Sequence, residues 1–365
     1  MSKHTTPNDA YRMDGHKLYW HLDRVLAWQR GEPIAPLHID FGITTGCNFA
    51  CRYCYGMLQG RKGKKNAFHM PQDAILRFFT DAKAVGVRSI ALIGEGENTL
   101  NPALYPAIAH AGRIDLDLSL ATNGLELPLA GLDEALSVLR WIRFNISAAS
   151  PEGYAAIHGV GPADHARVLA NIRACVERKR ALGLGVAIGL QAVLLQGNLQ
   201  EVVPLARLGR ELGVDYLVVK PCSDTYDSAL GAPLDAYEQL ETDFVEAEGF
   251  SGEGYNVIVK RQKIGNKGVK AYRTCYGTEF LLAISGNGNV YPCGHWFKYA
   301  DDKYLMGNII EQRFSDIVAS QRYADAQRAI KNVNVNRDCE SNCRQHYINN
   351  FLQMLADKPD HINFI

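Results

Sequence analysis

Cys47-Asn48-Phe49-Ala50-Cys51-Arg52-Tyr53-Cys54 is the stretch on which the reading of this chain turns. Three thiols fall within eight residues, directly after a strand-like run, His38–Thr44. Three thiolates on one short loop can wrap one face of a metal centre. A structural zinc site normally closes with four ligands, and His69 lies too far along the chain to be an obvious fourth. Three ligands would leave one metal position open, and an open position binds something small. The count therefore points to chemistry where four would point to scaffolding. A zinc loop completed by a distant fourth cysteine is the competing reading.

Outward from this loop the chain alternates. Strand-like runs recur at His38–Thr44, Ser89–Gly94, Asp117–Ala121, Trp141–Ser147, Gly185–Leu194 and Val214–Lys220. Helical patterns lie between them, among them Pro71–Val85, His165–Leu182 and Leu199–Leu212. Six β-then-α repeats with mostly apolar strands imply an α/β fold with a parallel sheet covered by helices. Right-handed crossovers curl such a sheet into a partial (β/α)6 TIM-like barrel, whose chemistry sits at the C-terminal ends of the strands. Residues 1–37 read as a polar lead and one helix, 38–249 as the barrel and 250–365 as a separate extension. In the extension, 250–274 is mixed and Gly/Lys-rich. Ser285-Gly286-Asn287-Gly288 reads as the turn of a β-hairpin, and helical patterns follow near Gln312–Ile330 and Gln345–Leu355.

The CxxxCxxC spacing, with Tyr53 before the last cysteine and a strand before the first, resembles the radical S-adenosylmethionine (radical SAM) superfamily. The resemblance covers roughly residues 38–245. It implies that Cys47, Cys51 and Cys54 hold a 4Fe–4S cluster whose open iron chelates S-adenosylmethionine. Reductive cleavage then yields a 5′-deoxyadenosyl radical that abstracts hydrogen from an unactivated C–H bond. Tyr53 falls among the cofactor-binding positions. Gly94-Glu95-Gly96-Glu97 resembles the family's glycine–glutamate motif, with Glu95 interposed, whose backbone meets the cofactor's aminium group. Thr122-Asn123-Gly124 closes the third strand as often seen in the family. Asn145 and Ser147, on one face by strand alternation, match positions that reach the cofactor's ribose or carboxylate. Gly185–Gly189 resembles a segment near the adenine. A flavodoxin- or ferredoxin-type reductant is implied.

Cys275, Gly288 and Cys293 match the CxnGx4C signature of SPASM and twitch extensions, and Cys339 and Cys343 follow. A full SPASM domain carries seven cysteines. Four here imply the shorter twitch form, with one auxiliary 4Fe–4S cluster closed on every iron. The gap of three residues between Cys339 and Cys343 is one longer than in similar twitch dehydrogenases. A zinc site on the same four thiols is the alternative. Of the other cysteines, Cys175 reads as core. Cys222, after Lys220-Pro221 at the end of the sixth strand, is a candidate hydrogen-atom donor, although a buried cysteine is more commonly a small hydrophobe. Lys220 is a candidate for binding an anionic substrate group. Arg61, Lys62, Lys64 and Lys65, and again Lys260, Arg261, Lys263, Lys267 and Lys270, form basic runs that read as solvated faces or as borders of a phosphate-bearing substrate's site.

Bulk properties narrow the classes. Lys+Arg and Asp+Glu both number 39 among 365 residues, so nucleic acid is not an expected partner. Met1–Tyr11 lacks an apolar signal core, and the longest apolar stretch, Leu182–Leu195, is too short to span a bilayer. Nine cysteines, an odd number, argue against a disulfide framework and for the cytoplasm. With 37 residues before the first strand, the expected substrate is a small polar, carbohydrate-type molecule: a sugar, aminocyclitol or nucleotide sugar. Oxidation of C–OH to C=O is the leading reaction and epimerisation the next. A peptide- or protein-modifying maturase and a non-catalytic two-cluster electron carrier are the other readings.

Overall fold

The structure, a computed structural model, describes residues 16–299 and 303–364. Met1–Tyr11 lies outside the described residues. The six expected strands all form: β1 (His38–Phe41), β2 (Ser89–Leu92), β3 (Asp117–Thr122), β4 (Trp141–Asn145), β5 (Ala187–Leu194) and β6 (Tyr216–Pro221). Each of the five after β1 pairs in parallel with its predecessor. Helices Gln72–Val85, Pro162–Leu182 and Val202–Leu212 lie between strands, close to their expected limits. The first of them buries Ile75, Phe78 and Phe79 and stops at Gly86, whose φ of +104° ends the helix in the left-handed conformation. Phe78 meets Phe41 of β1 at 4.8 Å between ring centres.

The sheet does not stop at residue 250. Asn256–Val259 (β7) adds in parallel beyond β6, in a stretch whose glycines and lysines hide a four-residue Asn-Val-Ile-Val run. On the opposite side Leu281–Ile284 (β8) pairs in parallel with β1, and Asn289–Tyr291 (β9) and Gly307–Asn308 (β10) continue antiparallel. The result is one ten-stranded sheet, in the order β10-β9-β8-β1-β2-β3-β4-β5-β6-β7. The extension is thus built onto the barrel's first strand rather than appended after it. The expected hairpin is β8–β9, and Gly288 in its turn has a φ of +88°. The run Gln312–Ile330 divides into Phe314–Val318 and Gln321–Ile330. Ser320 caps the second piece by accepting the Tyr323 N–H at 3.1 Å.

Alternation sorts the strand residues. On β1 and β4, Ile39, Phe41, Ile142 and Phe144 are buried against the helices, while Asp40, Arg143 and Asn145 face a central cavity. Strands β1 and β6 are five ladders apart, roughly 24 Å if the sheet were flat. Asp40 and Lys220 nevertheless line the same cavity, so the sheet is rolled around it.

Candidate active site

The first cysteine loop is held by backbone on two sides. Helix Pro151–His158 starts with the Ser150 cap and Pro151 and ends at Gly159, with φ +63°. Its last carbonyls take the Ala50 N–H at 3.1 Å and the Arg52 N–H at 2.9 Å. On the other side lies the glycine loop after β2. A Cβ on Gly96 would sit 2.3 Å from the Thr44 carbonyl, and one on Gly94 would sit 2.6 Å from Gly42 Cα. These glycines therefore let two loops touch, a demand prior to any ligand. Glu97 ties the next loop in. Its carboxylate accepts from Thr122 Oγ1 and the Asn123 N–H at 2.7 Å each, and from Thr99 Oγ1 at 2.9 Å. Asn123 in turn donates to Asn48 at 2.7 Å, beside Cys47. The glutamate of this motif is a brace for the cysteine loop.

Cys47, Cys51 and Cys54 are brought together. Burial, then the negative charge of Glu97, pushes the Cys47 thiol up to about 11. Burial, Cys54 and Cys47 push Cys51 higher still. Cys47 and Cys51, held up this way, need a positively charged partner before they can be thiolates. Among the described residues no three His, Cys, Asp or Glu converge closely enough to hold a single metal ion. The all-sulfur donor sets fit a multi-iron cluster, which spreads its ligands over several metals.

The second group converges from separate segments. Cys275 precedes β8, Cys293 follows β9, and Cys339 and Cys343 lie on the loop before the last helix, His346–Ala356. Burial pushes Cys275 up to about 12 and Cys293 well above the usual thiol range, and each of the four is raised further by one or more neighbours of the group or by Glu340. Tyr272, Tyr291, Trp296, Tyr304, Ile330, Val333 and Val335 form a small core of their own around these thiols. The three residues between Cys339 and Cys343 stitch the group to the barrel. The Ser341 N–H donates to the Asp224 carbonyl at 2.7 Å and Asn342 Nδ2 to the Pro221 carbonyl at 2.9 Å. Arg344 completes the anchor by donating to Asp40 on β1 at 3.0 and 3.1 Å. That pair, with His38, holds the Asp40 carboxyl well below its usual range against the burial that would raise it.

Both groups open on one cavity of about 370 Å³, lined by Cys54 on one side and by Cys275, Cys293, Cys339 and Cys343 on the other. Tyr53, Gly94, Asn145, Gln191 and Lys220 also line it. Tyr55 meets His295 at 2.6 Å, joining the segment after Cys54 to the one after Cys293. Asn145 Oδ1 accepts from Gln191 Nε2 at 2.8 Å, so the two amides form one polar patch on the wall. Burial first, then Arg143 and Lys263, lower the Lys220 ammonium to about 7. Arg143, Asp40, Glu340 and Arg344 were not singled out by the sequence. The arginine inside the apolar run Trp141–Asn145, in register with Asn145, was the available signal.

Three expectations change. Ser147 lies past the end of β4 and is fully buried; its Oγ accepts the Val193 N–H at 3.1 Å and its N–H is spent on His158 at 3.0 Å, so it supports the loop instead of facing the cavity. Cys222 is fully buried, with its sulfur 3.4 Å from the Ser223 carbonyl, and is absent from the cavity wall, where Lys220 and Ser223 stand instead. The sulfur lies behind that wall, 4.0 Å from the Tyr53 carbonyl. Gly189 is required by protein packing, since a Cβ there would sit 2.1 Å from the Tyr216 ring. Of the basic runs, Lys260 and Lys263 reach the cavity, whereas Lys64 pairs with Glu126 at 2.6 Å and Lys267 with Glu238 at 2.8 Å.

Glu95 is the residue that interrupts the glycine motif, and it is buried. Its Oε1 accepts the Gly286 N–H of the hairpin turn at 2.9 Å, and its Oε2 has no partner. Burial raises its carboxyl to about 7. The folded state then holds this proton more tightly than the unfolded chain, so stability falls as pH rises from about 4.5 to 7, by about 3 kcal/mol in all. Glu95→Gln keeps the acceptor for Gly286 and removes the titration. In paired thermal melts the variant should gain on the wild type by that amount between pH 4.5 and 8. A constant difference across the range would show that Glu95 does not carry the proton.

No helix among the described residues is long and apolar enough to cross a membrane. Residues 41–191 match the radical SAM superfamily model, and residues 275–345 match the SPASM iron–sulfur cluster-binding domain. An AdoMet-dependent heme synthase of Methanosarcina barkeri is 25% identical over 78% of this chain and 82% of its own length. A probable GTP 3′,8-cyclase of Saccharolobus islandicus is 31% identical over 51% of this chain and 56% of its own. Among solved structures, Streptococcus suis SuiB bound to S-adenosylmethionine superposes with a TM-score of 0.65 at 15% identity, over 93% of this chain and 79% of that one. S-Adenosylmethionine and two 4Fe–4S clusters are the cofactors that this pair of domains implies, and the two cysteine groups and the cavity between them fit that set. The chain belongs to the radical SAM superfamily, as an enzyme with a C-terminal SPASM domain.

Proposed function

We propose that the chain modifies a peptide, removing hydrogen from a side chain held between the two cysteine groups, with an acidic group of the peptide lying against Lys220. The observation that carries this is the cavity itself. It is walled by both cysteine groups, and two cations stand in it within reach of one another's charge: Lys220, and Arg143, whose buried Nε has no hydrogen-bond partner. Mutually repelling cations in one enclosed space favour an anionic ligand. The expected carbohydrate-type substrate finds no support among the relatives named, and the peptide-modifying alternative is the better supported. A PqqA peptide cyclase of Methylorubrum extorquens is 26% identical over 51% of this chain and 46% of its own length. SuiB also superposes in its complex with the precursor peptide SuiA, with a TM-score of 0.65 at 16% identity over 93% of this chain and 78% of that one. The 37 residues before β1 do not weigh against a peptide, because a separate protein can present it.

When bound, the first cluster with S-adenosylmethionine supplies a radical able to take a hydrogen atom from carbon, and the second, closed by four cysteines, supplies a one-electron acceptor. The protein's part is placement. Asn145 and Gln191 offer amides beside the cysteine loop, Lys220 and Arg143 hold the anionic end, and the aromatic residues around Trp296 pack against the second group.

The test is to incubate reconstituted enzyme, S-adenosylmethionine and dithionite with peptides encoded by short reading frames beside its gene, and separately with sugars and aminocyclitols. A peptide lighter by two hydrogens, with one 5′-deoxyadenosine per product, is the expected result. Turnover of a sugar with every peptide unchanged would overturn the proposal, and a product of unchanged mass would point to epimerisation. On the productive peptide, kcat/KM should fall as pH rises above about 7, because the free enzyme's Lys220 loses its charge there. Lys220→Arg should move that limb to higher pH. Lys220→Met should lower kcat/KM by roughly 10–100-fold, the worth of one charge-assisted hydrogen bond.

A further inference from the structure

His158 sits fully buried at the end of helix Pro151–His158, beneath the cysteine loop. Rings pack on it from several sides, with Tyr154 at 4.2 Å, Tyr53 at 5.6 Å and Phe49 at 5.8 Å between centres. Its two nitrogens have different partners. Nε2 lies 3.0 Å from the backbone nitrogen of Ser147. A backbone N–H can only donate, so Nε2 is the acceptor, and the one proton of the neutral ring is on Nδ1. Nδ1 lies 3.2 Å from Cys51 Sγ and 3.3 Å from the Tyr53 hydroxyl. The backbone of Ser147 therefore fixes the tautomer that turns an N–H toward a sulfur of the first cysteine group.

We propose that His158 is a positioning residue that donates a hydrogen bond to the Cys51 sulfur and thereby sets the reduction potential of the cluster held by Cys47, Cys51 and Cys54. Reduction adds negative charge to the cluster and its sulfurs. A donor aimed at a ligand sulfur stabilises that charge, most of all in a dry, aromatic enclosure where water cannot substitute. The donor thus favours the reduced form and raises the potential. The second cysteine group has a different arrangement: Asn349 Nδ2 donates to Cys275 at 3.5 Å from the last helix. The two clusters are consequently tuned by separate residues, and a change at one should not move the other. Tyr53 takes part through its hydroxyl, so its place in the cavity wall is not its whole role.

Full-length His158→Phe, reconstituted anaerobically, is followed by redox titration with electron paramagnetic resonance. The cluster on Cys47, Cys51 and Cys54 should move to a more negative potential by roughly tenfold in its reduction equilibrium, about 59 mV for one electron. The cluster on the second group should stay in place. His158→Asn, which offers an amide N–H near the former Nδ1, should recover most of the shift. A wild-type potential in His158→Phe, or an equal shift of both clusters, would overturn the proposal. If His158→Phe fails to hold iron, the wild-type protein decides the point. Labelled with 15N-histidine, its reduced first cluster should show coupling to a histidine nitrogen in pulsed resonance spectra, and no coupling would overturn the assignment.

Discussion

Replacing Cys47, Cys51 and Cys54 together with alanine should lower the iron bound by reconstituted protein from about eight to about four per chain and abolish formation of 5′-deoxyadenosine. The separation follows from how each group is built. The first three thiols come from one loop, braced by Glu97, Asn123 and the end of helix Pro151–His158. The other four come from residues 275–343 and carry their own aromatic shell. Nothing in that shell depends on the first loop's sulfurs, so the second group should still assemble. The variant should also fold, because its buried thiols disfavour one another's ionisation and their loss removes no ion pair. Iron and acid-labile sulfide assays read the count, and chromatography of the reaction with dithionite reads the nucleoside. Eight irons in the variant would refute the ligand set, and zinc in the second group would refute an iron–sulfur cluster there. Wild-type protein that makes no 5′-deoxyadenosine at all would favour the electron-carrier reading.

The β/α alternation and both cysteine groups were legible because each rests on a local signal: apolar runs of strand length, and thiols at fixed spacing. Strand β7 was not legible. Four residues between glycines and lysines are too short to show a period, and they become a strand only because β6 offers an unpaired edge. The pairing of β8 with β1 is equally invisible, since partners some 240 residues apart leave no local trace. Within the site, alternation correctly put Asn145 on the cavity wall. It failed at Ser147, because the strand ends at Asn145 and the period-2 rule ends with it. His158 carries no motif at all; its meaning depends on Ser147 and Cys51, 11 and 107 residues away, meeting its two nitrogens. Cys222 shows the converse error. Its place at a strand end suggested the cavity, but the loop after β6 is drawn toward Ser341 and Asn342, and the thiol turns into the core.

Cys293→Ala should leave cleavage of S-adenosylmethionine intact and lower formation of modified product at least a hundredfold, about 2.7 kcal/mol. Cys293 follows β9, with Gly294 and His295 next in line reaching across to Gln59 and Tyr55. Its thiol feels the charge of Cys275, Cys339 and Cys343, so removing it takes one ligand from that group. The first cysteine loop keeps every brace it has, because none of them involves Cys293. The two halves of the reaction should therefore come apart: 5′-deoxyadenosine still appears, while the substrate radical has no acceptor for its unpaired electron and the two-hydrogen product fails to accumulate. Asn349, which reaches both the Gly277 N–H and Cys275, should hold the remaining three thiols near their places and keep the variant folded. Measuring nucleoside and product in the same reaction separates the outcomes. Loss of both would mean that the second group supports the fold of the first. Product at the wild-type rate, with about four irons remaining per chain, would reduce the second group to a structural clip and remove it from the chemistry.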